Sequence, residues 1–478
     1  MKILMVASEA APFAKTGGLA DVVGALPAAL QALGHQVAVL IPRYASVDLK
    51  EARRVYDLLP VWLSPNRYDT SVYLIERETP FYFLDCPPLY DRPGFYTEDG
   101  VDYPDNHIRF AVLAQAALEF CRRIWRPDIL HGHDWQAGLA PAYLHTNYAY
   151  DPTFLGMRTL FTIHNLGYHG LFAAATLAEI GLAGADAFRP GGIEFFGKVC
   201  FLKGGLNYAD ALNTVSPTYA REIQTPEYGF GLDGVLRARS GVLSGILNGV
   251  DYAEWNPETD RLIAANYSPS DLSGKRVCKQ DLLAAFGLPA EAMDVPLIGI
   301  VSRFTSQKGA DLIAEAADGL VAQGYYLAAL GAGEPQYEEL FLAMAARHPG
   351  RIAVRIGYDD PLAHRIEAGA DLFLMPSRYE PCGLNQIYSL KYGTVPVVRA
   401  TGGLDDTIEP GMGFKFWPYS AGAMLGALQA SREAFADAEG WRGIMLAGMA
   451  KDLSWRVSAA EYSKLYRHLN GAGLGRRI

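Results

Sequence analysis

Short apolar, largely β-branched runs recur along the chain. Each is closed by a polar loop and followed by a longer stretch with helical spacing. The first half predicts strands at Ile3–Ala7, Val37–Ile41, Phe81–Leu84, Ile129–His131, Thr159–Ile163 and Ala211–Val215. A second series predicts strands at Leu297–Val301, Tyr326–Leu330, Ile352–Ile356, Leu372–Met375 and Val395–Val398. Between them lie helical stretches such as Leu19–Leu33 and Phe110–Trp125. Strands alternating with helices imply parallel sheets with right-handed crossovers, and two series imply two doubly wound α/β domains. The expected domains are 1–243 and 244–455. A terminal helical segment, 456–478, carries Ala459, Tyr462, Leu465, Tyr466 and Leu469 on one face and is expected to pack back onto the first domain.

Composition narrows the class. Half of the 478 residues are hydrophobic and a fifth are charged, as in a soluble globular enzyme. The formal charge of -10 argues against nucleic acid or an anionic membrane as the main partner, so any phosphate site must be a local cluster of cations. Five cysteines without a C-x-x-C pair speak for a reducing, cytoplasmic setting without disulfides or structural zinc. The apolar start is short and interrupted by Glu9, which reads as a first strand rather than a leader, and no run reaches membrane-spanning length.

Chemistry gathers where strands end. Lys15-Thr16-Gly17-Gly18-Leu19 follows the first strand, and Arg303-Phe304-Thr305-Ser306-Gln307-Lys308-Gly309 follows Leu297–Val301. Glycine lets a backbone approach an anion, a helix start adds N–H donors, and Arg and Lys supply charge. Open α/β sheets bind ligands beyond the carboxyl ends of their strands, so two such loops point to a phosphorylated ligand held in a cleft where the two domains face each other. Gly331-Ala332-Gly333 is a further, weaker glycine loop. Glu380-Pro381-Cys382-Gly383-Leu384 adds a carboxylate, with Cys382 reading as an inert buried thiol. His131 and His133 share a strand face and invite comparison with metal ligands, but no third ligand stands at usual spacing and no metal is expected. Asp134 and Trp135 suit a sugar site, as hydroxyl acceptor and stacking ring. His164 also stands at a strand end. Gly229, Gly231 and Gly234 spell G-x-G-x-x-G, but they follow a helix-like segment rather than a strand, so a dinucleotide site is not expected.

In this order and over almost the whole chain, these pieces resemble the bacterial glycogen synthases, relatives of plant starch synthases. The resemblance also rests on Ser8-Glu9, Ala20-Asp21-Val22, Phe201-Leu202-Lys203-Gly204-Gly205 and Asn248-Gly249-Val250-Asp251. It implies the GT-B fold, two Rossmann-like domains facing across a deep cleft. It implies transfer of glucose from ADP-glucose to the non-reducing 4-hydroxyl end of an α-1,4-glucan with retention of configuration, and no metal or other cofactor. By position it implies catalytic roles for His164, Arg303, Lys308 and Glu380. Lys15, Gly18, Asp21, Asn248, Gly333, Tyr379, Cys382, Gly383 and Leu384 would line the nucleotide-sugar site, and Glu9, Tyr96 and Asp134 the sugar and acceptor pocket. Many GT-B relatives carry a second Glu eight positions after the first, where this chain has Tyr388. The rival readings are a nucleotide-sugar epimerase, a phosphorylase-like enzyme carrying pyridoxal phosphate on a lysine, and a glucan-binding protein without catalysis. The last would have no use for Lys15, Arg303, Lys308 and Glu380 together.

Overall fold

A computed structural model describes residues 1–471 apart from Ser64 and Ala185. The chain divides into two compact units. One comprises Met1–Val215, Ala220–Gly249 and the chain from Trp455 on, and the other comprises Ser216–Tyr219 and Val250–Ser454.

The strands of the first unit's main sheet are β1 (Lys2–Val6), β2 (Gln36–Pro42), β3 (Arg53–Leu63), β4 (Asn66–Glu76) and β5 (Pro80–Asp85), then β8 (Ile129–His133), β9 (Arg158–Ile163), β13 (Ala211–Thr214) and β14 (Leu243–Gly245). A short hairpin, β6 (Thr97–Glu98) and β7 (Val101–Asp102), precedes β8. A separate antiparallel sheet is built from β10 (Leu171–Ala173), β11 (Glu194–Phe195) and β12 (Lys198–Cys200). The main order is β14-β13-β9-β8-β1-β2-β5-β4-β3. It is parallel from β14 to β5 and antiparallel from β5 through β4 to β3. The antiparallel edge departs from the all-parallel expectation. Pro60 and the charges of Arg53, Arg54 and Asp57 hide it in the sequence, and its register shifts twice, so apolar and polar positions do not alternate cleanly.

The second unit is one parallel sheet of β15 (Leu297–Val301), β16 (Tyr326–Gly331), β17 (Ile352–Ile356), β18 (Leu372–Met375), β19 (Val395–Arg399) and β20 (Phe414–Phe416), in the order β17-β16-β15-β18-β19-β20. Helices bury both of its faces. Leu297, Tyr326, Ala328, Phe373 and Val398 belong to one core cluster, and their neighbours Ile298, Leu327, Ala329, Leu372 and Val397 to the other. Both faces being dry explains the continuous apolar runs that replace a two-residue alternation.

Two boundaries differ from expectation. β14 pairs Leu243 with Leu212 of β13, so the first sheet runs past residue 243, and the change of unit falls after Gly249. The helix near the C-terminus spans Trp455–Gly471, while 472–478 of the expected segment lie outside the described residues. Its Trp455, Ala459, Tyr462, Tyr466 and Leu469 are buried in the first unit's core. Among the described residues no helix is long and apolar enough to cross a membrane.

Candidate active site

The strand order of each unit names a place. In the first, β1 stands between β2 and β8, where the direction of winding reverses, and in the second the reversal lies between β15 and β18. Ligands of doubly wound sheets bind beyond the carboxyl ends of the strands at such points. The loops found there are the ones that the sequence marks. Lys15–Gly18 follows β1 and Asp134 follows β8, while Arg303–Gly309 follows β15 and Ser377–Leu384 follows β18.

In the first unit, Glu9 is buried and anchors the loop. Its carboxylate accepts from the Thr16 backbone N–H at 2.5 Å, from Thr16 Oγ1 at 2.7 Å, and from the Tyr96 hydroxyl. Lys15 pairs with Asp21 at 2.6 Å and is half exposed, so Asp21 steers the lysine rather than standing alone. The helix Gly18–Ala32 begins at this loop, and a Cβ added at Gly17 or Gly18 would meet nothing within 4 Å. The chain itself does not require these glycines for space.

Asp134 holds a left-handed φ of 53°. Its Oδ1 accepts from the His164 backbone N–H at 2.7 Å and from that of Asn165 at 3.5 Å, which ties the ends of β8 and β9 together. Burial pushes the Asp134 carboxyl up to about 7, against the two N–H donors that pull it down, and the charge of Glu9 raises it further. His164 is buried, and desolvation drops its pKa to about 3, so its imidazole is neutral. Its Nε2 lies 3.0 Å from Nδ1 of His133. His131 is occupied on both ring nitrogens, by Tyr466 Oη at 2.8 Å and Thr162 Oγ1 at 2.5 Å. Asn248 Oδ1 is buried without a partner among the described residues. Trp135, expected as a stacking ring, packs edge-on against Phe110 at 4.8 Å and beside Phe172 and Phe201, so it serves the core instead. Among the described residues no cluster of three or more His, Cys, Asp or Glu has metal-site geometry.

A raised carboxyl pKa fixes the sign of a pH effect. The contribution of Asp134 to stability is present in full below the unfolded value of 3.8 and is lost as pH rises through about 7. Asp134→Asn removes that loss. Its Tm relative to the parent is expected to be more favourable at pH 8 than at pH 5, read by thermal unfolding at both. A difference that does not change with pH would contradict this origin.

In the second unit Lys308 and Glu380 meet. Lys308 Nζ lies 2.6 Å from Glu380 Oε2, and Ser377 Oγ donates to the same oxygen at 3.0 Å. Glu380 is 5% exposed, so the carboxylate depends on these partners. Arg303 is exposed; its carbonyl accepts from Ser302 Oγ at 3.3 Å, and its guanidinium makes no ion pair among the described residues. Gly309 adopts φ 77° to start the helix Ala310–Ala322, and a Cβ there would lie 2.4 Å from the Pro376 carbonyl oxygen. Gly333 lets the loops after β15 and β16 touch, since a Cβ would come within 2.2 Å of the Phe304 carbonyl oxygen. Tyr379 accepts through its carbonyl from Gln307 Nε2 at 3.4 Å. Cys382 is buried, Gly383 holds φ 74°, and the Leu384 carbonyl accepts from the Ile387 and Tyr388 N–H groups of the helix Asn385–Lys391.

Comparison with known proteins then decides the family. Residues 2–238 match the starch synthase catalytic domain, and residues 289–430 match glycosyl transferases group 1. A glycogen synthase of Koribacter versatilis is 50% identical over 98% of this chain and 98% of its own. One from Anaeromyxobacter dehalogenans is 50% identical over 98% of this chain and 100% of its own. The solved catalytic domain of starch synthase IV from Arabidopsis thaliana, bound to ADP and acarbose, superposes with a TM-score of 0.88 at 31% identity, covering 98% of this chain and 99% of that one. The chain belongs to the glycogen synthase family.

It is therefore a glucosyltransferase with two Rossmann-like units of the GT-B type. Membership gives the departure at Tyr388 a physical reading. Tyr388 stacks on Trp255 at 4.2 Å, and Trp255 on His364 at 3.7 Å. The position is spent on packing.

Two groups escaped the sequence reading. Ser377 supports Glu380, and nothing in its neighbourhood announces it. Thr401-Gly402-Gly403-Leu404 cradles the Glu380 loop. The Gly403 N–H donates to the Glu380 carbonyl at 3.1 Å, and a Cβ at Gly402 would stand 1.8 Å from that same oxygen. A signal was present, because the tetrapeptide Thr-Gly-Gly-Leu occurs twice, at 16–19 and 401–404.

Proposed function

We propose that this enzyme transfers glucose from ADP-glucose to the non-reducing 4-hydroxyl end of an α-1,4-glucan, with retention and without a metal, in the cytoplasm. The observation that carries the reading is the Lys308–Glu380 pair beside the exposed Arg303, at the strand ends where the second sheet reverses. Breaking the glucosyl–phosphate bond builds negative charge on the diphosphate and positive charge on the sugar ring. Arg303 and Lys308 neutralise the first, joined by Lys15 and the Gly18 N–H at a helix start. Glu380 sits under the sugar and keeps Lys308 aimed. Gly333, Tyr379, Cys382, Gly383 and Leu384 shape the nucleotide side with their backbone, and Asp21 and Asn248 complete the donor site. Glu9, Tyr96 and Asp134 receive sugar hydroxyls.

His164 serves as a neutral hydrogen-bonding group. A ring held neutral by burial does not act as a charged acid near pH 7. Retention follows from attack on the face that the diphosphate leaves, with a phosphate oxygen taking the acceptor's proton. Glu380 is the one nucleophile nominated for the alternative double displacement, and its Oε2 accepts from Lys308 and Ser377. Trapping a glucosyl ester on Glu380 would overturn the same-face route.

Donor and metal requirements are read together. Labelled ADP-glucose and UDP-glucose are offered separately with glycogen, each with and without EDTA. Transfer from ADP-glucose that survives EDTA is expected. Loss of transfer with EDTA, restored by a divalent cation, would contradict the metal-free leaving-group chemistry.

A further inference from the structure

Three histidines stand together at the ends of β8 and β9, and their protons can be counted. The rings of His131 and His133 lie 4.0 Å apart with 35° between their planes, and the His164 ring lies 5.2 Å from that of His133. All three are buried, and desolvation drives each pKa well below the usual imidazole value, so each ring carries one proton. In His131 the partners settle which nitrogen holds it. Thr162 donates its single hydroxyl proton to Asn213 Oδ1, so Thr162 Oγ1 accepts from His131 Nε2–H. The bare Nδ1 of His131 then accepts from the Tyr466 hydroxyl.

The same count applies to the next pair. His133 Nδ1 and His164 Nε2 lie 3.0 Å apart, so one of them donates to the other. His133 Nε2 is buried with no partner among the described residues. With His164 as donor, the proton of His133 would sit on that sealed nitrogen, as a buried N–H without an acceptor. Orphaned N–H groups are the rare defect of protein interiors, and each carries a full desolvation penalty. With His133 as donor, the sealed nitrogen is bare and only its lone pair goes unused. The proton of His164 then stands on Nδ1. That nitrogen makes no hydrogen bond among the described residues, and His164 keeps 8% of its surface open. The backbone of His164 is fixed separately, by its N–H to Asp134 Oδ1.

We propose that His133 is a positioning residue: its Nδ1–H donates to His164 Nε2, which places the His164 proton on Nδ1 as a donor to a sugar oxygen. The inference rests on the reading of His164 as a group of the sugar site, and deepens it from a neutral side chain to a donor of fixed polarity. His133 itself touches no substrate. A histidine's tautomer is set by the bond that its other nitrogen makes, as the groups behind metal-bound histidines show. Here the group behind donates, so the free nitrogen is left protonated. The donor is set before the sugar arrives, and binding needs no tautomer change.

The test compares His133→Leu with His133→Asn. The two side chains are alike in shape, and only asparagine can place an N–H where Nδ1 stands. His133→Leu is expected to lower kcat for glucosyl transfer roughly 10–100-fold, the range found when the group behind a metal-bound histidine is removed. His133→Asn is expected to recover most of that loss, with thermal unfolding showing that both variants fold. A second reading needs no substrate. NMR of the protein with heavy nitrogen in its histidine rings tells a protonated nitrogen from a bare one, and a His164→Gln variant assigns the signals. A protonated Nδ1 and a bare Nε2 on His164 are expected in the parent and in His133→Asn. A protonated Nε2 on His164 would overturn the proposal, as would parental kcat in His133→Leu or equal loss in the two variants. If the parent transfers no glucose and yet shows the expected tautomer, lost in His133→Leu, the glucosyl-transfer reading fails while the role of His133 stands.

Discussion

Lys308→Ala is expected to lower kcat by about 10²–10³ while moving the donor KM by less than about tenfold, because one preorganised cation on a leaving group is worth that much. The structure sharpens the reason. Lys308 is not a loose surface lysine, since its Nζ is fixed 2.6 Å from a carboxylate that is 6% exposed at its side chain. The charge is therefore in place before substrate arrives and costs no reorganisation during the reaction. An interaction realised only as charge develops appears in kcat, whereas one made equally in the ground state appears in KM. The variant also strips Glu380 of its counter-ion and leaves its carboxylate the Ser377 hydroxyl. Steady-state kinetics with ADP-glucose and saturating glycogen reads the split. An unchanged kcat with a raised KM would refute a leaving-group role.

Gly402→Ala is expected to cost roughly 10²-fold in kcat although residue 402 carries no functional group, since a misplacement of about 1 Å near the chemistry has that effect. A Cβ would stand 1.8 Å from the Glu380 carbonyl oxygen, and φ is 45°, so the substitution combines overlap with strain. Both costs fall on the segment that presents Glu380 to Lys308. Destabilisation on the order of 2–4 kcal/mol should accompany the kinetic loss, visible as a lower Tm. An active Gly402→Ala enzyme of parental stability would show that the Glu380 loop tolerates movement and that its placement is not what the two glycines secure.

The architecture was legible in the sequence where burial is two-sided. Leu297–Val301 and Leu372–Met375 are apolar throughout because helices cover both faces, and no other local structure of that length explains them. The edge strands β3 and β4 were not legible, because Pro60 and shifting register erase the periodicity on which such reading depends. The cationic loops could be read because glycine and charge after a strand have few other uses. What could not be read is how far each charge is already spent. That Asp21 takes Lys15, that Glu9 takes Thr16 and Tyr96, and that Tyr388 stacks on Trp255 are matters of loop path and partner distance. The neutral state of His164 belongs to the same class, since it comes from burial under neighbours distant in sequence.

The central claim is elongation of an α-1,4-glucan at its non-reducing end with retained configuration. The most direct measurement incubates the enzyme with radiolabelled ADP-glucose and glycogen, isolates the polymer and digests it with β-amylase, which removes maltose from non-reducing α-1,4 ends. Release of the label as maltose is the predicted result. Label appearing as free glucose before digestion, or remaining in the polymer after it, would contradict the account.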